Sequence, residues 1–470
     1  MALNALASQI LEKITPKPDE IREVNELSQK LQQRIEEACK SEGIPAKVRV
    51  EGSVAKDTWL RENPDIDIFI RLPISIPRKN LGEIGLRIAK KAAGDMEQVE
   101  RFAEHPYLEI VVGNYSVDVV PCYDAAPGEW KSATDRTPYH TDYIRKNLKK
   151  DLQNEIRLLK KFLQGIGVYG AEIKVGGFSG YLCELLVMNY GSFAKVIDSF
   201  AAYNKRVVID IEGFYAEREK DIGLLFPEPL VIIDPVDRGR NVASAVQTQK
   251  LYEFIVAARA FQNLPKEEFF YPPRIHALAP TQLECHLGRC GSSFLFLVIG
   301  EIATVPDVLW GQLYRTKRSL RTLLECYDYK VLRDTVWSDE KALSVLVYEL
   351  EQAILPNIKK HFGPQLERET ESKEFLDKYV SDERVFAGPY IDSGRWTVEL
   401  PRKSIDAKAL FREKLADGGK NAGVAELVTK AIELDLKVFV NAEILKLYTE
   451  NSEFAVFLTG FVRGKPFWLT

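Results

Sequence analysis

Cysteine is scarce, with six in 470 residues. None of Cys39, Cys122, Cys183, Cys285, Cys290 and Cys326 forms a CxxC pair, so a disulfide scaffold is excluded and a reduced, intracellular chain is expected. One fragment of zinc-site character, Cys285-His286-x3-Cys290, has no second pair nearby and is not expected to bind metal. No run of about 18 apolar residues occurs, so no membrane partner is expected. The mildly apolar start from Met1 to Leu11 has no charged leader region and no cleavage site. A secretory signal is therefore not expected, and the cytoplasm is the default location. An overall basic charge is also missing: 64 Lys and Arg face 68 Asp and Glu, a net charge of −4. A nucleic-acid partner would have to be held by local basic patches. Repeats and low-complexity tracts are absent, and 46% hydrophobic with 10% aromatic residues excludes disorder.

What is present is a long alternation of helix and strand signals. Pro18-Asp19 suits a first helical turn, and Ile21, Val24, Leu27, Leu31 and Ile35 then make one apolar stripe, ended by Gly43. Strands are expected at Val48 to Glu51 and Asp65 to Leu72, then a helix from about Glu83 to Gly94. Two further strands, from Tyr107 and from Tyr115, are joined by the hairpin pair Gly113-Asn114. From about Asp142 to Gln262 the pattern is helical, with Ser179 placed as a cap and a last helix from Ala243 to Phe261. Pro265 and Tyr271-Pro272-Pro273 mark a linker. Beyond it, strand (Ser292 to Ile299), helix (Val308 to Cys326), strand (Lys330 to Val336) and an apolar segment (Ala342 to Leu350) suggest a ferredoxin-like or RNA-recognition-like layer.

The chemistry gathers at Gly52-Ser53, then Asp65-Ile66-Asp67, with a third acid at Asp118 inside Val117-Asp118-Val119. Residues two apart on a strand share a face, so Asp65 and Asp67 project together while Ile66, Ile68 and Ile70 enter the core. If the strand of Asp118 pairs beside them, three carboxylates converge with no basic residue among them, an arrangement that asks for cations. Hard oxygen ligands suit Mg²⁺. Two such ions would activate an attacking hydroxyl and hold a triphosphate. Gly52 lets the backbone approach a phosphate, Ser53 supplies donors, and Lys56 adds positive charge.

This constellation resembles the signature of the DNA polymerase β-type nucleotidyltransferase superfamily. Longer stretches are similar to the archaeal-type, class I CCA-adding enzymes. They include Gly52 to Trp59, Ala103 to Tyr107, Val117 to Tyr123, Lys131 to His140, Asn154 to Lys160, Tyr169 to Val175, Gly177 to Leu186 and Asp234 to Ala243. The likeness is dense from about 45 to 245 and thinner beyond, where Gly363-Pro364-Gln365 and Ser393-Gly394-Arg395-Trp396 still carry it. It implies an enzyme that builds or repairs the CCA end of tRNA from CTP and ATP. Asp65, Asp67 and Asp118 match its metal-binding carboxylates, and Ser53 and Lys56 its phosphate contacts. His140, Lys160 and Tyr169 match further nucleotide contacts, and Arg240 an arginine near the incoming base. Two positions depart from the family's usual residues, Asp65 for glutamate and Lys56 for arginine. A shorter acid shifts the metal, and lysine lacks arginine's bidentate fork.

Alternatives stay open at several residues. His105, held extended by Pro106, either orients a phosphate or satisfies a turn; Tyr169 stacks on the nucleotide or belongs to the core; Arg240 reads the base or sits in a solvated loop. Arg315, Lys317, Arg318 and Arg321 form a basic patch for the tRNA body, or a solvated helix face. The expected architecture is α+β and multidomain. Residues 1–142 form a polymerase β-like head, 143–263 a helical domain completing the nucleotide pocket, 264–365 an α+β tRNA-binding domain and 366–470 a mixed C-terminal one. A homodimer is compatible with it. The competing functions are a poly(A) polymerase or oligoadenylate synthase relative, and a catalytically silent RNA-binding protein of the same fold.

Overall fold

The computed structural model describes residues 2–469 apart from Asn63, Ala103 and Cys290. The cysteine–histidine fragment thus lies partly outside the described residues, and Cys285 is an exposed free thiol. The chain forms two compact units, Met1–Pro273 with Pro466–Thr470, and Arg274–Lys465. Among the described residues no helix is long and apolar enough to cross a membrane.

In the first unit, α1 (Ala2–Ile14) and α2 (Pro18–Ser41) precede β1 (Lys47–Glu51), the short α3 (Gly52–Ala55), β2 (Asp65–Leu72) and α4 (Arg78–Ala93). Strands β3 (Glu97–Phe102), β4 (Pro106–Val112) and β5 (Tyr115–Tyr123) complete a sheet ordered β1-β2-β5-β4-β3. Its core follows the two periodicities. Val24, Leu31 and Ile35 of α2 and Leu81 and Ile88 of α4 pack on Ile66, Ile68 and Ile70 of β2. Burial of this one face leaves Asp65 and Asp67 on the other. β2 and β5 are parallel neighbours, the one parallel pair of the sheet, and their register sets Asp67 beside Asp118.

The same unit continues with α5 (Thr137–Asn147), α6 (Leu152–Gly165), α7 (Gly180–Tyr190), α8 (Phe193–Ala201), α9 (Glu219–Leu225) and α10 (Thr248–Asn263). Aromatic rings form the centre of this part: Phe162 lies 5.1 Å from Phe261 and 5.6 Å from Phe269 between centroids. Ser179 caps α7 by accepting the Leu182 amide at 3.1 Å, as expected of a serine before an apolar run. The last helix begins at Thr248 and not near Ala243. Ala243 to Gln247 instead lie in a turn that follows a small sheet of β6 (Val207–Ile209), β7 (Leu230–Asp234) and β8 (Asp237–Asn241). Asn241 ties that sheet together, its amide oxygen accepting from the Ile232 amide and its amide nitrogen donating to the Leu230 carbonyl.

The second unit contains α11 (Pro280–Arg289), β9 (Ser293–Ile299), α12 (Pro306–Cys326), β10 (Val331–Ser338) and β11 (Ser344–Leu350). Next comes a smaller layer of β12 (Ile358–Gln365), α13 (Glu369–Tyr379), β13 (Ala387–Asp392) and β14 (Arg395–Pro401). After it follow α14 (Ala407–Lys414), α15 (Glu426–Leu434), β15 (Leu436–Val440), α16 (Leu445–Glu450) and α17 (Ser452–Arg463). The main sheet runs β10-β11-β9-β15, antiparallel throughout. Counting β9, β10, β11 and β15 as first to fourth, the order 2-3-1-4 is that of a βαββαβ ferredoxin-like layer. Strands on both sides of residue 365 share each of the unit's two sheets. One face of the main sheet packs on α12, α14 and α15. The other packs Phe294, Phe296 and Val345 on Leu283 of α11, Tyr448 of α16 and Phe454 of α17. With both faces covered, this layer offers no open sheet for stacking bases. The likeness to an RNA-recognition fold is one of topology.

Candidate active site

Three carboxylates stand on adjacent strands. Asp65 is exposed, while Asp67 and Asp118 are half-buried. Their carboxyl groups make no hydrogen bond among the described residues, and acids outnumber bases around them. Burial, then Asp67 and Glu109, push Asp118 up to about 8. Burial and Asp65 push Asp67 up to about 6, against Lys56 and Lys160. Burial and Glu109 also raise Asp65. Among the described residues no three His, Cys, Asp or Glu side chains are drawn together closely enough to hold a metal ion. Facing like charges turn such side chains apart. Their backbones are nonetheless neighbours, about 4.8 Å between strands, and this oxygen-only donor set fits a hard divalent cation.

Gly52 leads α3 at φ +69, and a Cβ there would overlap Asp67 Oδ2. The glycine thus makes room for the aspartate as well as for any phosphate. Ser53 follows, half-buried. Lys56, expected to face a phosphate, is buried and donates to Glu184 Oε2 at 2.7 Å. Thr58 Oγ1 donates to the other oxygen of Glu184 at 2.6 Å. Lys160 donates to the Thr58 carbonyl at 3.0 Å and lies 3.5 Å from Glu184. Burial would raise Glu184, but the two lysines outweigh it and hold its carboxyl below the ordinary value. Burial in turn lowers Lys160. The hydroxyl of Tyr169 and the amine of Lys160 meet over Gly180, 3.1 and 3.5 Å from where a Cβ would stand. Arg157 braces the loop after α3, donating to the carbonyls of Trp59 at 3.0 Å and Asp57 at 2.8 Å.

A second polar hub lies at the end of β7. Asp234 is fully buried. Its Oδ2 accepts from His140 Nε2 at 2.9 Å and Arg240 Nη1 at 2.7 Å. Its Oδ1 accepts from Tyr181 Oη at 3.2 Å and the Val236 amide at 3.1 Å. The His140 and Tyr181 rings stack, 4.0 Å between centroids. Burial lowers His140 in spite of Asp234. Burial would raise Asp234, but His140 and Arg240 hold it below the usual carboxylate value. Arg240 is therefore anchored, not free in a loop. His105 bonds Thr134 Oγ1 at 3.0 Å, and its buried Nδ1 has no hydrogen-bond partner among the described residues.

Glu184 and Asp234 were not singled out from sequence. Glu184 sits in an apolar run, Cys183-Glu184-Leu185, where a lone acid on a helix asks for a buried cation. Asp234-Pro235 interrupts the helical pattern and opens a stretch that resembles the family, but neither signal gives the aspartate a partner. On α12, Lys317 and Arg321 both pair with Asp334, at 2.5 and 2.6 Å. Arg315 and Arg318 are exposed and make no ion pair among the described residues.

Known proteins resemble the chain along most of its length. Residues 32–140 match the nucleotidyltransferase domain family. Residues 154–271 match the tRNA nucleotidyltransferase second domain, and 291–441 the C-terminal domain of CCA-adding enzymes. The CCA-adding enzyme of Methanosarcina barkeri is 36% identical over 456 residues, covering 96% of this chain and 97% of that protein. That of Methanosarcina mazei is 37% identical over 459 residues, covering 96% and 97%. The CCA-adding enzyme of Methanothermobacter thermautotrophicus is 36% identical, covering 94% and 96%. From the first unit's sheet to the C-terminal layer, the chain belongs to the CCA-adding enzyme family.

Proposed function

We propose that the protein adds and repairs the 3′-terminal CCA of tRNA, without a template, from CTP and ATP. The observation that carries this is the trio Asp65, Asp67 and Asp118 on neighbouring strands, set against the buried Lys56, Lys160 and Glu184 in a chain of this family. The three aspartates would hold Mg²⁺, two ions per site. Bound there, the ions supply Lewis-acid charge to the reacting phosphate. The tRNA 3′ hydroxyl attacks the α-phosphate of the nucleotide, forming the new phosphodiester, and pyrophosphate leaves. Gly52 and Ser53 border the phosphates. Lys160 and Tyr169, converging over Gly180, place an amine and a hydroxyl donor on the same wall. Holding reactants in line converts a bimolecular step into a local one. The reaction takes place in the cytoplasm.

The test is incubation of tRNA lacking CCA with labelled CTP or ATP. CTP alone should add two C residues, and tRNA ending in CC should receive one A from ATP. A long A tail from ATP with CTP ignored would replace this reading with poly(A) synthesis.

The pairing on α12 narrows the proposed tRNA contact. Because Asp334 engages Lys317 and Arg321, phosphates are left to Arg315 and Arg318. Reversing both to glutamate should raise the Michaelis constant for full-length tRNA while affinity for CTP stays put. The slope of log affinity against log salt should flatten by about 0.7–0.9 per lost phosphate contact. An unchanged slope, measured between low and moderate salt, would make this helix face a solvated one.

A further inference from the structure

We propose that the cavity beside the edge strand β6 binds a small phosphate monoester of a hydroxylated sugar: Arg206 and Lys220 take the phosphate, and Asp210 Oδ1 takes a hydroxyl. The cavity lies wholly within the first unit, and neither the three aspartates nor Asp234 line it. Strand periodicity makes its floor. Val207 and Ile209 turn into the aromatic-rich core. Arg206, Val208 and Asp210 therefore turn the other way, and all three line the cavity. The loop after β6 and α9 fold over that face, held by a small core of Tyr215, Ile222 and Phe226 on Val231 and Ile233. Between floor and cover is a cavity of about 590 Å³, lined also by Lys220 and Gly223. Sites for small molecules run from roughly 300 to 1,000 Å³.

The charges around this cavity are not spent on one another. Arg206, Asp210 and Lys220 make no ion pair among the described residues. Asp221, next to Lys220, pairs with Arg218 at 3.7 Å instead. Arg206 is held in place: Nη2 donates to the Phe226 carbonyl, and Nη1 lies 3.7 Å from where a Cβ of Gly223 would stand. Asp210 Oδ2 accepts the Tyr215 amide at 2.8 Å, which fixes the carboxylate. Its Oδ1 is buried and has no hydrogen-bond partner among the described residues. A buried acceptor costs free energy until a donor reaches it, and an ionised carboxylate takes only donors. Two cations suit a dianion. A phosphate monoester carries about −1.5 to −2 charges at pH 7, whereas a phosphodiester or a carboxylate carries a single one. A sugar phosphate joins both features, and a carboxylate on a ribose hydroxyl is a recurring pairing.

Isothermal titration of the full chain with ribose 5-phosphate, without divalent ions, tests this. Inorganic phosphate, which offers no sugar hydroxyl to Asp210, should bind roughly tenfold more weakly or worse. Lys220 is exposed on α9, so Lys220→Glu should keep the fold and its CTP addition. Its affinity for ribose 5-phosphate should fall roughly ten- to a hundredfold, as should that of Arg206→Glu. Asp210→Asn keeps an oxygen for the Tyr215 amide and should lose about tenfold. Asp118→Asn should bind ribose 5-phosphate as the unmodified protein does, which separates this cavity from the three aspartates. No binding by the unmodified protein, or equal binding by Lys220→Glu, overturns the proposal. So does equal affinity for inorganic phosphate, which would leave Asp210 without a part. A short single-stranded RNA carries hydroxyl and phosphate as a diester. If it bound through Lys220 where ribose 5-phosphate did not, the cavity would belong to an RNA backbone and the monoester would be overturned.

Discussion

Removing the carboxylate of Asp67 or Asp118 should cut nucleotide addition by roughly three orders of magnitude or more, the several kcal/mol that metal-ion charge stabilisation supplies. Asp65→Ala should follow the same course. Stability should move the other way. With Asp118 pushed up to about 8 and Asp67 to about 6, the folded protein binds protons more tightly than the unfolded chain. Its stability therefore falls as pH rises from about 4 through those folded values. Asp118→Asn takes away that penalty. Without divalent ions its thermal midpoint should exceed that of the unmodified protein most at pH near 8 and meet it near pH 4, by about the ordinary carboxylate value. Adding Mg²⁺ should raise the midpoint of the unmodified protein and leave that of the variant. Retention of about a tenth of the activity by Asp118→Ala would remove this residue from any metal site.

Glu184→Ala should destabilise the protein by about 3–5 kcal/mol in urea unfolding, since it strands Lys56 and Lys160 as unpaired buried cations. Both lysines bond or approach this one carboxylate, and all three side chains are buried. Glu184→Gln keeps the shape and an acceptor for Thr58 but not the charge, and should cost less. A loss below about 1 kcal/mol for Glu184→Ala would mean that water reaches the lysines, as at an exposed pair. The proposed phosphate wall would then lack the support that the buried triad gives it.

The sheet that carries the three aspartates was legible because strand chemistry repeats every two residues. Asp65 and Asp67 alternate with three isoleucines that only a core can satisfy, so the acids had to share the outer face. Gly113-Asn114 and Ser179 were legible for a similar local reason: a hairpin turn and a helix cap are settled by the residues at the spot. Glu184 and Asp234 were not. Glu184 meets Lys56 across 128 positions of sequence, and Asp234 meets His140 across 94. No local pattern records such a pairing. The small sheet before Thr248 escaped notice because three- to five-residue strands between prolines carry too few alternations to stand out.

By itself, then, the sequence determined which side chains face the core, where the chain turns and which acids share a strand face. These follow from backbone geometry and from the cost of burying polar groups. The tertiary structure alone decided what each charge is paired with. It turned Lys56 from a free cation into a partner of Glu184, and it spent Lys317 and Arg321 on Asp334. It also anchored Arg240 on Asp234 and covered both faces of the second unit's main sheet. The physical reason is range. Propensity and periodicity act within a few residues along the chain, whereas a buried ion pair is chosen by whichever charge the fold brings within about 4 Å.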